Sequence, residues 1–148
     1  MTGKKKQVKE YCDSEFENID KVFDELFLIV KSGKNNYSIA ELAAMASFLH
    51  SIYNGIENTL KRILIAQGIK LKDSPYWHRD LLQTSASEEI ISETLHDMLL
   101  DYLTFRHYFI HAYSIYIEWE RMGRLVINLP DTIASFKAKI EEYVERTF

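Results

Sequence analysis

Apolar side chains recur at helical spacing in several segments of the chain, and clusters of turn-forming residues separate these segments. The first segment, roughly residues 13–31, has apolar positions three and four residues apart and stops at the stretch SGKNN. The second begins at Ser38, which forms a capping-box pattern with Glu41, and extends to about Gln67, just before Gly68. The pattern therefore predicts two long amphipathic helices in the first half of the chain.

The second half is predicted to contain a long connector and two further helices. The connector, residues 68–86, has room for a short turn of helix at YWHRDLLQ. We expect the third helix to start near Ser87, to run past Trp119 and to end around Gly123, and a fourth helix to follow Pro130. Since no segment shows convincing strand alternation, the predicted fold class is all-α, an antiparallel bundle of about four to five helices.

The predicted third helix presents three different faces. A seam that we expect to face the core consists of Ile91, Leu95, Met98, Tyr102, Phe105, Phe109, Ala112, Tyr116 and Trp119. His107 and His111 lie one turn apart on the face roughly opposite this seam. An apolar edge lies between the core seam and the histidine face. Arg106 and Tyr113 interrupt this edge, and they are nearly eclipsed on a continuous helix. Such an edge predicts a surface that a second subunit or a partner covers.

Arg106 and His111 pose a geometric problem if they act together. They are five residues apart, so on a straight helix their side chains diverge by about 140°. Arg106 must wrap around the helix, the helix must deform, or two copies of this helix must face each other across a two-fold axis. We favour the dimer as a hypothesis.

Composition and charge narrow the class of protein. At 148 residues with 47% apolar residues, the chain is expected to form a single domain, residues 1–148, with residues 1–10 as a flexible basic N-terminus. One cysteine, no signal-type apolar run and a longest apolar run of only LFLIV favour a cytoplasmic protein without a membrane span. The net charge of -4 argues against a surface that coats nucleic acid, so any contact with RNA must be local.

The stretch RHYFIHAY, residues 106–113, resembles the R-x-x-x-x-H signature of HEPN domains, and its A-Y ending is similar to the R-x-x-x-x-H-x-Y form of HepT-like toxins. The segments YNGIENTLKRIL and YWHRDLL extend the resemblance over most of residues 40–125. The resemblance implies a HEPN-like helical bundle that dimerises and brings two signatures into one RNA-cleaving cleft, without a metal or other cofactor.

The same resemblance implies a function and assigns roles to residues. It implies an RNase toxin that cleaves tRNA or mRNA, with Arg106 and His111 as catalytic residues and His107 as an auxiliary proton carrier or phosphate ligand. A metal-free RNase needs such a proton carrier and a fixed cation beside the phosphate. The implied partner is an MntA-type nucleotidyltransferase antitoxin that neutralises the toxin by transferring AMP to Tyr113.

Several alternatives stay open at the level of sequence. The alternative function is a non-catalytic helical bundle that binds a nucleotidyltransferase, and the intact pair of Arg106 and His111 argues against it. Glu57 either supports Arg106 or forms a surface pair with Lys61, four residues later. His78 and Arg79 are expected mainly to fix the connector. The two remaining histidines, His50 and His96, are expected to be packed or solvated, and no metal site is expected from one cysteine and no H-E-x-x-H motif.

Overall fold

The computed structural model describes residues 3–148, and within this range the chain is entirely helical, without strands. One 3₁₀ turn, Ser114–Tyr116, accompanies five α-helices in the described range. These are α1 (Gly3–Ile29), α2 (Ile39–Ala66), α3 (Trp77–Ser87), α4 (Glu93–His111) and α5 (Trp119–Thr147). The predicted all-α bundle is confirmed.

The ends of α2 form as the sequence predicts. The backbone N–H of Glu41 donates to the Ser38 hydroxyl oxygen at 3.1 Å, and the Glu41 carboxylate accepts from the Ser38 backbone N–H at 2.9 Å. This reciprocal pair satisfies amide groups that have no partner in the first turn of a helix. At the other end Gly68 has φ of 75°, a left-handed conformation that glycine adopts without a steric penalty.

Buried side chains of all five helices form one apolar core. α1 and α2 follow each other closely in the chain and pack along their length, and a Cβ on Gly55 would lie 2.8 Å from Cγ1 of Ile19. Glycine therefore permits the close approach of these two helices. Fully buried residues from the other helices, such as Leu81, Leu99 and Phe136, complete the core.

The N-terminal segment differs from its prediction. α1 begins at Gly3 and not near residue 13, and the part of the expected flexible terminus that the structure describes, residues 3–10, is helical. Met1 and Thr2 lie outside the described residues. The helix extends because buried Val8 and Cys12 continue the apolar stripe of α1 toward its N-terminus, which the run of lysines obscures in the sequence.

The connector contains a complete helix, α3, and not merely one turn. Leu81 and Leu82 of α3 are fully buried, so the connector contributes to the core. Among the described residues, no helix combines the length and apolar character that a membrane-crossing segment needs.

The predicted third helix ends earlier than expected. α4 stops at His111, and Ala112 has the extended backbone angles φ -90° and ψ 145°. Tyr116, expected in the core seam, is 64% exposed, whereas Leu99 and Ile117, which helical periodicity places on the edge with Arg106, are buried. The chain turns here because α5 must return along the bundle, and Ile117 anchors that turn in the core.

α5 continues through Gly123, where the third helix was expected to end, and through Pro130, after which the fourth was expected to begin. A Cβ on Gly123 would lie 2.6 Å from Cε2 of Trp119, so this glycine makes room for the indole ring instead of ending a helix. Pro130 lies inside α5 on its exposed side, while Leu129 and Ile133 beside it are buried and hold both halves of the helix against the core. The helix predicted after Pro130 is confirmed as the second half of α5, which has one apolar face. This face consists of Ile133, Phe136, Ile140, Tyr143 and Val144, all buried.

Candidate active site

An open groove of about 660 Å³ lies between the start of α3 and the C-terminal half of α4. From α4, Arg106, His107 and His111 line this groove, and from α3, Trp77 and His78 line its other side. We call it the site groove. It brings together three of the four residues that the sequence predicted to be functional.

The site groove removes the geometric problem posed by Arg106 and His111. α4 remains helical through His111, so the helix does not deform between the two residues. Both side chains nevertheless line the same groove within one chain, because the groove extends far enough around α4 to include both. A second copy of the chain is not needed to bring them to one cavity.

Arg106 is a charged residue whose guanidinium forms no close ion pair with a carboxylate among residues 3–148. Its Nε is buried and makes no hydrogen bond, and the guanidinium takes part in none of the ion pairs in that range. Burial, and then the charge of Arg106, lower the pKa of His50, which favours a neutral imidazole there. A guanidinium in this state offers its donors to an anion in the groove.

His107 and His111 are both exposed, as predicted. Their ring centroids are 4.6 Å apart with an interplanar angle of 60°. The two imidazoles therefore form a neighbouring pair on the groove side of α4. His111 is the last residue of α4, and the helix end leaves its side chain open to the groove.

Glu57 is a buried carboxylate and not half of a surface pair. It is 3% exposed, and its Oε2 lies 2.7 Å from Nδ1 of His78. Lys61 instead places its Nζ 3.9 Å from the centroid of the Trp77 ring. The surface pair of Glu57 with Lys61 is therefore wrong, because Lys61 contacts an aromatic ring and Glu57 contacts a histidine.

The sequence contained a signal for the burial of Glu57 that its local pairing pattern hid. Tyr53, Glu57, Leu60 and Leu64 follow one another at steps of four, three and four, and all four are buried. Glu57 therefore occupies a core position of α2, where a charged residue is found only with a specific partner. The partner is His78, and sequence spacing alone gives no indication of a contact across 21 residues.

Tyr53 adds a further buried polar group beside this pair. Its hydroxyl makes no hydrogen bond of good geometry, although the residue is only 1% exposed. Burial first and the nearby Glu57 carboxylate second raise the pKa of Tyr53, while the charge of Arg106 opposes this effect. Glu57 and Arg106 thus act with opposite sign on the same buried hydroxyl group.

Tyr113 is not where helical periodicity places it. It follows the end of α4, so the predicted shared edge with Arg106 is wrong, and it does not line the site groove. Its side chain is 78% exposed, and its ring lies 6.3 Å from that of Tyr116. Ile110 and Ile115, near these tyrosines in the chain, are exposed as well, and we call the four residues the Tyr113 patch.

The fold and the groove define a class of protein. An all-helical bundle that presents R-x-x-x-x-H at the end of one helix, with both residues on one groove, has the features of a HEPN domain. Residues 44–147 match the family of HepT-like proteins, and this match covers more than half of the chain. The chain belongs to the HepT-like family of the HEPN superfamily. No curated protein and no solved structure gives a significant match.

Proposed function

We propose that this protein is a metal-independent RNase toxin that cleaves cytoplasmic RNA, either tRNA or mRNA, in its site groove. The carrying observation is that Arg106, without a carboxylate partner in residues 3–148, lines one groove with His111. Membership of the HepT-like family supports the same assignment.

The chemistry follows from the residue types. Arg106 binds the scissile phosphate and offsets the charge that builds on its oxygens, because a guanidinium offers several donors in a fixed plane. His111 carries a proton in the reaction. His107, one turn earlier, is an auxiliary group that contacts the substrate phosphate or carries a second proton.

The test is cleavage of purified total tRNA and mRNA in the presence of EDTA. We expect the wild-type protein to cleave at least one of them, and Arg106→Ala and His111→Ala each to lower the rate by roughly 10²-fold or more. His96→Gln is the matched control. Nδ1 of His96 lies within hydrogen-bond distance of Oδ1 of Asp97, at 3.0 Å, and His96 does not line the site groove. Absence of cleavage by the wild type, or full activity of both alanine variants, would contradict the proposal.

We further propose that an MntA-type nucleotidyltransferase is the antitoxin and that it transfers AMP to Tyr113. The hydroxyl-bearing side chain of Tyr113 is 78% exposed, so an enzyme can reach it without unfolding the bundle. Tyr113 follows His111 by two residues, so an AMP ester on it places a negative phosphodiester near the end of α4, where it repels RNA phosphate. Inhibition would then be local, with the fold intact.

Intact mass after incubation with such an enzyme and ATP tests this modification. The mass should rise in multiples of one AMP unit, and Tyr113→Phe should abolish the rise. Tyr116→Phe is the control, since Tyr116 is 64% exposed on the same patch. This variant should be modified at Tyr113 to the same extent as the wild type. A mass increase that persists in Tyr113→Phe places the acceptor elsewhere.

A non-catalytic binding module is the second candidate, and the Tyr113 patch is the observation that favours it. The exposed apolar residues of this patch suit a contact with a second subunit or a nucleotidyltransferase. In the RNase proposal the same patch supports a homodimer whose two grooves form one cleft. Tight binding of the nucleotidyltransferase without any RNA cleavage by the wild type would favour the binding module.

A further inference from the structure

We propose that His78, oriented by Glu57, is the general base of the site groove, and that His111 is its general acid. This inference rests on the proposed RNase function and deepens it. It adds two residues, from α2 and α3, to a site that the R-x-x-x-x-H signature confines to α4.

The contact between Glu57 and His78 fixes the state of the imidazole. Oε2 of Glu57 lies 2.7 Å from Nδ1 of His78, and the side chains are 4% and 18% exposed. An ionised carboxylate only accepts hydrogen bonds, so Nδ1 carries the hydrogen. In the neutral ring the lone pair then resides on Nε2, on the far side from Glu57. His78 lines the site groove, and Nε2 is the ring nitrogen that the contact with Glu57 leaves free for a substrate.

Two further contacts hold this ring in place. The ring of Trp77 stacks on that of His78 at 3.6 Å with an interplanar angle of 30°. Lys61 lies over the Trp77 ring and ties it to α2, the helix that carries Glu57. A buried carboxylate that sets the tautomer and orientation of a histidine makes the imidazole an efficient base. In serine proteases, loss of such a carboxylate lowers the rate by about 10⁴-fold.

Two proton carriers are needed because metal-free RNA cleavage both removes and adds a proton. Nε2 of His78 takes the proton of the ribose 2′-OH while the 2′ oxygen forms a bond to phosphorus. The bond from phosphorus to the 5′ oxygen breaks, and protonated His111 gives its proton to that leaving oxygen. The products are a 2′,3′-cyclic phosphate and a 5′-OH, and proton exchange with water restores both histidines.

The other histidines meet fewer of the requirements for a base. His107 is exposed on α4 and has no carboxylate partner among the described residues, so its ring is not fixed as that of His78 is. His50 does not line the site groove. His96 has a carboxylate partner, Asp97, but it also lies outside the groove.

Several charged groups surround His78 and affect any pH profile. They are Glu57 and Lys61 from α2, Arg79 from α3, and Arg106, His107 and His111 from α4. A pH profile of the wild type alone therefore does not isolate His78, and the experiment must remove the acid from the reaction chemically.

The experiment uses the full chain and an oligonucleotide with one ribonucleotide at a bond that the wild type cleaves in tRNA or mRNA. In a second version sulfur replaces the 5′ bridging oxygen at that bond, and a thiolate leaves without protonation by an acid. The variants are His111→Gln, His78→Gln and His78→Asn, of which the Asn amide retains a donor toward Glu57. Glu57→Gln tests the orienting carboxylate, and His96→Gln is the control. Thermal denaturation of each variant establishes that it is folded.

On the oxygen substrate we expect His111→Gln and both His78 variants to be slower by roughly 10²-fold or more, and His96→Gln to equal the wild type. On the sulfur substrate His111→Gln should recover to near the wild-type rate, and the His78 variants should not. The wild type on sulfur should show a rate that rises with pH and then levels off. In the His78 variants that plateau should disappear, which a purely structural role would not cause. Glu57→Gln should lose roughly 10²- to 10⁴-fold on both substrates, because the orientation and tautomer of His78 are then no longer held.

Specific results would overturn the inference. A His78 variant that retains the plateau with only a lower amplitude shows that His78 is structural. Recovery of the His78 variants on sulfur shows that His78 is an acid. Either result leaves the RNase proposal intact. If the wild type cleaves no RNA, no bond is available for the sulfur substrate, and the proposed function and this inference fail together.

Discussion

At the scale of single residues, the core of the bundle contains polar side chains of α2 as well as apolar ones. Tyr53 and Glu57 are buried polar residues in positions that helical periodicity assigns to the core. A buried carboxylate is tolerated only with a partner, and here the partner is a histidine on a different helix. A carboxylate in the core therefore contacts a histidine that lines the groove at the surface of the bundle.

Cys12 illustrates the opposite case, a reactive group that burial makes inert. Burial, followed by the nearby carboxylates of Asp13 and Glu15, raises the pKa of the Cys12 thiol to about 12. Since only the thiolate is nucleophilic, we expect almost no reaction of the native protein with Ellman's reagent at pH 8. In guanidinium chloride one thiol per chain should react within minutes. Rapid labelling of the native protein would show that Cys12 is accessible.

At the scale of elements, α5 shows how packing overrides local punctuation. Gly123 and Pro130 would each end an isolated helix, yet both lie inside α5. The indole of Trp119 packs directly against the position where Gly123 has no side chain, and buried Leu129 and Ile133 flank Pro130. Burial of this face outweighs the hydrogen bond that proline removes.

Gly123→Ala should therefore destabilise the protein even though alanine favours helices. The added Cβ would lie 2.6 Å from Trp119 Cε2, and we expect the free energy of unfolding to fall by about 1–3 kcal/mol in urea denaturation. In a Trp119→Leu background the same substitution should be much less harmful, because the ring is absent. Gly3→Ala, with no atom within 4 Å of its Cβ, is the control. Equal effects in both backgrounds would contradict the steric explanation.

At the scale of the whole molecule, the two ends of the described chain meet. Lys5 and Lys9 of α1 bind the Glu145 carboxylate of α5 at 2.9 and 3.4 Å, and Phe16 packs edge-on against Phe136 with ring centroids 6.1 Å apart. These contacts join the first and last helices over a shared apolar face. They also explain why the basic N-terminal segment is helical from Gly3.

Glu145→Gln should reveal this contact through its pH dependence. Hydrogen bonding and charge attraction from Lys5, and then from Lys9, lower the pKa of Glu145 below the ordinary value of a carboxyl group. A lowered pKa in the folded state stabilises the protein above the ordinary carboxyl pKa of about 4.3, and this stabilisation is lost as the pH falls through the folded value. The wild type should thus have the higher Tm at pH 7, with little difference at pH 2.

Glu141→Gln, on an exposed position of the same helix, is the control and should show little change in Tm at either pH. Because the ion pair is exposed, the wild-type advantage should also shrink in 1 M salt. A difference that persists at pH 2 would mean that the substitution acts through packing and not through charge.

The sequence by itself determined the helical class, the capping box of α2, and the residue types of the α4 signature, because these depend on local periodicity and local hydrogen bonds. It placed His107 and His111 correctly on an exposed face for the same reason. Only the tertiary structure decided where α4 ends, since the break after His111 depends on how Ile117 and Trp119 pack against distant helices. Only the tertiary structure joined Glu57 to His78, because a contact between two helices leaves no periodic trace in the chain. The stretch RHYFIHAY is consequently two structures, a helix that carries Arg106 and His111 into a groove and an exposed turn that carries Tyr113.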